Sequence, residues 1–161
     1  MEVVVEPARK TDVPRLEAIY SGPGLHTNLA QARWYVRSHI EYNNILVAKV
    51  DGVIQGACFW RIEGEKVYGA GWIEDMWVEE KYRGLGLGER LLRRAVVDMK
   101  QHFISDGLVL RKIFLTTHAT NEAARALYEK VGFVKCGEVD SMYVDGVLTV
   151  IYGRDMRTNP D

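Results

Sequence analysis

The chain predicts a mixed α/β fold of the α+β type, and three features carry that expectation. Short β-branched and aromatic runs alternate with stretches whose apolar residues recur at helical spacing. Two Asp-Gly dipeptides, Asp51-Gly52 and Asp145-Gly146, lie between pairs of such runs, where a tight turn closes an antiparallel hairpin. A glycine-rich segment, Gly84-Leu85-Gly86-Leu87-Gly88, joins a strand candidate to a helix candidate.

The elements follow in order. Val3-Val4-Val5 is a β-branched run ended by Pro7, and Thr11-Asp12 with Pro14 behind them mark a helix start. That helix carries Leu16, Ile19 and Tyr20 and stops at Ser21-Gly22-Pro23-Gly24. A second helix is expected from Thr27 or Asn28 to about Tyr42. Ile45 to Val50 and Val53 to Arg61 form a hairpin around Asp51-Gly52. Lys66 to Val78 is a strand, weakened early by Gly69 and Gly71. Beyond the glycines, Leu91, Leu92, Ala95, Val96, Met99 and Phe103 trace a helix. Arg111 to Thr117 is a strand, and Asn121 to Val131 a helix closed by Gly132. Phe133 to Val144 and Val147 to Met156 form a final hairpin around Asp145-Gly146. The order is β-α-α-β-β-β-α-β-α-β-β. With no repeat or linker, a single domain over 1–161 is expected.

Composition limits the function classes. With 161 residues, 47% hydrophobic and 27% charged, the chain suits one globular core rather than a disordered or fibrous state. Lys and Arg number 21 against 22 Asp and Glu, a net charge of −1, so no global field favours nucleic acid or an anionic membrane. Cys58 and Cys136 lie in apolar stretches without CxxC spacing and read as reduced core thiols. His26, His39, His102 and His118 show no ligand spacing, so no metal site is expected. The start, MEVVVEPARK, lacks the apolar stretch of a secretion signal, and no apolar run reaches the roughly 18 residues of a membrane span. The cytoplasm is the expected compartment.

The stretch from Glu79 to Arg90 carries the chemistry. Glycines let successive backbone N–H groups converge, and a helix start adds about half a positive charge, so the segment should hold an anion such as a phosphate. A nucleotide P-loop needs GKS or GKT after its second glycine, but Glu89-Arg90 follow Gly88. A dinucleotide fingerprint needs glycine where Glu89 stands. What fits is Arg83-x-x-Gly86-x-Gly88, which resembles the pyrophosphate loop of the GNAT superfamily of acetyl-CoA-dependent N-acetyltransferases. The strand Ile73-Glu74-Asp75-Met76-Trp77-Val78 ahead of it and the later Asn121 to Phe133 segment resemble that family's two signatures, in the right order.

The resemblance implies a mixed, mostly antiparallel central sheet flanked by helices, with a cofactor core at about 72–133 and acetyl-CoA as co-substrate. Met76, Trp77 and Val78 would meet the pantetheine arm through main chain. The loop Arg83, Gly84, Leu85, Gly86, Leu87, Gly88 and Glu89 would hold the diphosphate, with the Leu85 and Leu87 side chains packing inward. Asn121, Ala124 and Tyr128 would line the cofactor groove.

Acetyl transfer to an amine needs a base for the ammonium proton and an acid for the departing thiolate. Tyr128 matches the family's acid tyrosine. Glu74 and Asp75 are the base candidates, Glu74 first; as neighbours on a strand they should point to opposite faces. Asp75 could equally bind the substrate ammonium. His118 follows a strand and could reach the cofactor mouth, while Arg90, Arg93 and Arg94 read as a solvated face balanced by Glu89 and Asp98. The substrate mouth is implied at Gly22 to Thr27 and Asp140 to Val147, where Asp140 and Asp145 join Asp75 as acids suited to a cationic amine. The acceptor is thus a small-molecule or peptide primary amine: a polyamine, a lysine side chain or a peptide amino terminus. The alternative in another class is an acetyl-CoA-binding sensor without turnover. Exposed sheet edges permit a homodimer.

Overall fold

The computed structural model describes residues 1–22, 25, 28–42 and 44–158. Seven strands form one sheet: β1 (Val3–Pro7), β2 (Ile45–Val50), β3 (Val53–Ile62), β4 (Ala70–Val78), β5 (Lys112–His118), β6 (Val134–Asp140) and β7 (Leu148–Asp155). Their spatial order is β1-β2-β3-β4-β5-β7-β6, antiparallel everywhere except between β4 and β5. The helices are α1 (Val13–Tyr20), α2 (Leu29–Ile40), α3 (Leu87–Ile104) and α4 (Glu122–Lys130).

Alternation along the strands divides the core into two layers. Leu46, Ala48 and Val50 of β2 pack with Leu87, Leu91, Leu92, Ala95, Met99 and Phe103 of α3 and Tyr128 of α4. Ile45 and Val47, pointing the other way, pack with Leu16, Ile19 and Tyr20 of α1 and Ala32 and Val36 of α2. Each such fully buried large side chain contributes about 1.5–3 kcal/mol. Local signals place the helix starts as the residues predict: Pro14 stands in the first turn of α1, and the Asn28 side chain accepts the Gln31 N–H at 2.9 Å to cap α2. No described helix is long and apolar enough to cross a membrane.

Two expected strands begin or end elsewhere. Lys66–Tyr68 form a 3₁₀ turn, and β4 starts only at Ala70. Gly69, at φ +69°, turns the chain where an added Cβ would lie 2.4 Å from the Val109 carbonyl oxygen, so this bend tolerates only glycine. The closing hairpin is also looser than its Asp145-Gly146 dipeptide suggests. Strand β6 ends at Asp140, and Gly146 N–H bonds back to the Ser141 hydroxyl at 2.9 Å, so 141–147 is a wide loop carrying exposed Met142, Tyr143 and Val144. Around Asp51-Gly52 the tight turn forms as expected. Cys58 is a buried free thiol, as expected, whereas Cys136 is exposed, because β6 is the edge strand of the sheet.

Candidate active site

Strands β4 and β5 pair from Ala70 and Lys112 to Ile73 and Leu115, and then part. Strand β5 continues through His118 paired with β7, while Glu74 to Val78 keep β3 on one side only. The wedge between them is a cleft of about 330 Å³, lined by Ile73 to Met76, Leu115 to His118, Asn121 and Tyr128. One edge of β4 therefore leaves main-chain groups open to an extended ligand that could add as a further strand.

At the wedge β4 carries a bulge. Phe59 lies opposite Asp75 and Trp60 opposite Ile73, so Glu74 is the extra residue. The bulge overturns the expectation that Glu74 and Asp75 face opposite ways, because strict alternation fails where one residue is inserted. Glu74 contacts His39 of α2 and Arg61 of β3. Asp75 faces the phenol of Tyr20 on α1. Both carboxylates thus lie toward α1 and α2, while Ile73, Met76 and Val78 pack on the α3 side.

Their environments differ. Burial pushes the Asp75 carboxyl up to about 6, against the Met76 N–H and the Tyr20 phenol, which favour its ionised form. Burial acts on Glu74 as well, but His39 and Arg61 outweigh it and hold that carboxyl below its ordinary range. The cleft therefore contains one carboxylate engaged by His39 and Arg61 and one poised near neutrality.

Tyr128 is 8% exposed and faces the same cleft. Burial raises its phenol above the ordinary value, so it stays protonated at neutral pH. Its ring meets Phe133 and Tyr152, and its hydroxyl makes no hydrogen bond to a described residue. Helix α4 is fixed by Arg125, which donates to the Ala119 carbonyl at 3.1 Å and to the Tyr152 hydroxyl at 3.2 Å. Tyr152 in turn donates to Glu129 at 2.8 Å. Asn121 accepts the Ala124 N–H at 3.2 Å as the helix cap, which leaves its amide NH2 beside the cleft. Ala124 packs on the α3-side core one turn before Tyr128.

The glycine loop follows the open edge of β4. Arg83 donates from Nε to the Val78 carbonyl at 3.0 Å, tying the loop to β4. Gly86, at φ +83°, is the cap residue of α3 and supplies no side chain to its first turn, so the Leu87, Gly88 and Glu89 amides face outward uncapped. The Glu89 carboxylate is drawn off by Lys130 at 2.6 Å and Arg93 at 3.0 Å. Gly88 lets α4 approach: an added Cβ would lie 3.2 Å from Leu127. Such a loop can hold a phosphate group. Leu87 is buried as expected, but Leu85 is 52% exposed, because it rides the outer turn between two left-handed glycines. Trp77 packs toward α1 and α2, so only its main chain borders the cleft edge. Arg94 pairs with Asp98 at 2.7 Å, part of the solvated face expected of α3.

The expected substrate mouth is partly visible. Pro23, Gly24, His26 and Thr27 lie outside the described residues. In the 141–147 loop, the Tyr143 hydroxyl lies 3.5 Å from Thr116 Oγ1, which lines the cleft. His118 lines it too. Sequence reasoning missed three site residues: Tyr20, His39 and Arg61. Only the i, i+4 spacing of Tyr35 and His39 on one helix face hinted at any of them.

Comparison with known proteins adds the family. A profile described as the acetyltransferase (GNAT) family matches residues 13–133. The chain is 31% identical over 83 residues to N-alpha-acetyltransferase 30 of Xenopus laevis, covering 52% of this chain and 28% of that protein. It is 30% identical over 108 residues to N-alpha-acetyltransferase of Sulfurisphaera tokodaii, 62% of each. It is 31% identical over 69 residues to spermine/spermidine N(1)-acetyltransferase of Bacillus subtilis, 43% of this chain and 42% of that one. The chain thus spans less than two thirds of the length of each of these relatives. Among solved structures, a GNAT-family acetyltransferase from Streptococcus pneumoniae shares the fold at TM-score 0.77 and 22% identity, over 96% of this chain and 99% of that one. A chain of the NatC complex bound to Gag peptide and CoA does so at 0.77 and 18%, with the same coverage.

Proposed function

Because the chain belongs to the acetyltransferase (GNAT) family, we propose that it transfers the acetyl group of acetyl-CoA to a primary amine, the α-amine of a polypeptide first among them. The observation that carries this reading is the parted pair β4 and β5, with Asp75 and Tyr128 both lining the cleft they open. The residues fit acetyl-CoA: an unpaired strand edge for the amide-rich pantetheine arm, and an uncapped glycine loop for the diphosphate.

In this reading the main chain of Met76, Trp77 and Val78 holds the arm, and the amides from Arg83 to Glu89 hold the diphosphate, with Leu85 as an exposed apolar contact. Asn121 and Ala124 form the opposite wall. Acetyl-CoA supplies the activated thioester. Asp75 takes the proton that the substrate ammonium must lose, directly or through a water, because its carboxyl is poised near neutrality. Glu74, bound by His39 and Arg61, is engaged by those partners and takes no part in the proton transfer. Tyr128 presents a retained phenolic proton to the sulfur leaving group.

The polypeptide α-amine is supported by the names of the Xenopus and Sulfurisphaera relatives. A polyamine is the second reading, favoured by the Bacillus relative and by Asp140 at the start of the 141–147 loop and Asp145 within it. A homodimer through edge strand β6, with Val134 and Val139 exposed, belongs to the same proposal. The test is thiol release from acetyl-CoA against a panel of peptides with free amino termini, lysine-containing peptides blocked at the amino terminus, and polyamines, beside a CoA-binding titration. Turnover on free amino termini alone is expected. Turnover confined to polyamines would replace the substrate, and tight binding without turnover on any amine would favour a sensor.

A further inference from the structure

His39 is bordered by hydrogen-bond acceptors on both sides of its ring. Nδ1 lies 2.8 Å from the Tyr35 carbonyl oxygen, which can only accept. It also lies 3.3 Å from the Ser38 hydroxyl, whose single proton is already given to the Tyr35 carbonyl at 2.9 Å, so Ser38 can only accept from the ring. Nδ1 must carry a proton. On the other side, Nε2 meets an oxygen of Glu74, and the second Glu74 oxygen receives Nε of Arg61. That carboxylate is an acceptor, so Nε2 carries a proton as well. Both ring nitrogens face acceptors, and the ring packs against Tyr35 and Phe59, with centroids at 4.6 and 5.2 Å.

We propose that His39 is a positioning residue: as an imidazolium it clamps Glu74 against Arg61, so that Asp75 alone of the two bulge carboxylates is free to take the substrate's proton. The proposal rests on the acetyltransferase reading for its purpose, but not for its test. Its logic is electrostatic. The bulge puts two carboxylates side by side on one face, where two unneutralised negative charges would raise each other's proton affinity and compete for one ammonium. Two cations on Glu74 divide the roles. The charged and titratable groups around the ring are few: Glu74 and Asp75 from β4, Arg61 from β3, itself paired with Glu63, Tyr35 from α2, and Tyr20 from α1 behind Tyr35. Burial alone would favour neutral imidazole, but Glu74 and the Tyr35 carbonyl outweigh burial and the Arg61 charge.

Nitrogen-15 NMR of the imidazole in the full chain tests this with no acetyl-CoA and no amine present. At pH 7 both ring nitrogens of His39 should be protonated, with a titration midpoint above the ordinary value of about 6.5. Glu74→Gln should bring that midpoint to or below the ordinary value. A singly protonated ring at pH 7 in the unaltered protein, or a midpoint indifferent to Glu74→Gln, overturns the proposal. The positioning role is read from the Asp75 carboxyl carbon: in His39→Gln its midpoint should rise by about half a unit or more, since a nearby cation is lost. An unmoved Asp75 midpoint also overturns it. If turnover is present, His39→Gln should lower kcat about 10-fold and leave the KM for acetyl-CoA within about twofold. Absence of turnover in the unaltered protein would refute the acetyltransferase reading while leaving both NMR outcomes decisive for His39.

Discussion

Ile73 and Leu115 are the last residues at which β4 and β5 pair, and everything the proposed site needs lies just beyond them. One residue on, the Glu74 bulge turns β4 away, and the main chain from Glu74 to Val78 keeps an open edge. If CoA adds to that edge as a strand, hydrogen exchange should slow there and in loop 83–89 on adding CoA, and remain unchanged in β6. Uniform protection, or none at the edge, would refute the placement.

Tyr128→Phe isolates the proposed acid. The ring contacts with Phe133 and Tyr152 survive the change, and the hydroxyl makes no hydrogen bond to a described residue, so stability should be unchanged within about 0.5 kcal/mol. Turnover should fall about 100-fold or more with acetyl-CoA affinity retained. Unchanged turnover removes Tyr128 from the acid role.

Asp75→Asn should trade activity for stability. The folded carboxyl sits at about 6, above the unfolded value near 4, so its favourable contribution is complete below about pH 4 and is lost as pH rises through 6. At pH 7 the ionised group therefore costs the fold about 1–3 kcal/mol, which asparagine avoids while still accepting from Tyr20. Denaturant melts should show the variant more stable at pH 7, with the gain shrinking at pH 4. With Asp75 as base, kcat/KM of the unaltered protein should fall tenfold per unit below about pH 6. A flat acid limb would contradict that assignment.

Gly86→Glu should abolish CoA binding, by adding charge where the α3 amides face outward, while the fold persists. Any side chain at φ +83° costs about 1–2 kcal/mol, so a control of equal strain is needed. Gly107, at φ +69° beyond the other end of α3, supplies it: Gly107→Ala should cost similar stability and leave CoA affinity intact. Equal binding by both variants would refute the loop assignment.

The reach of the sequence is clear at particular residues. The order of elements, the Asp51-Gly52 turn, the glycine loop, the Tyr128 helix and the core face of α3 follow from local periodicity and turn chemistry, which act over a few residues and so are written in the chain itself. Gly69 shows the limit of that view: the carbonyl that forbids a side chain there comes from Val109, forty positions on. The bulge at Glu74 was equally invisible, because a register shift belongs to two paired strands and not to either one. With the bulge came the shared face of Glu74 and Asp75, and with α1 and α2 packed onto that face came Tyr20 and His39. Sequence alone determined which chemical groups this protein has for the proposed acetyl transfer. Tertiary structure decided which carboxylate is engaged by Arg61 and His39 and which is left poised, since a proton's preference depends on charges and burial that residues distant in the chain supply.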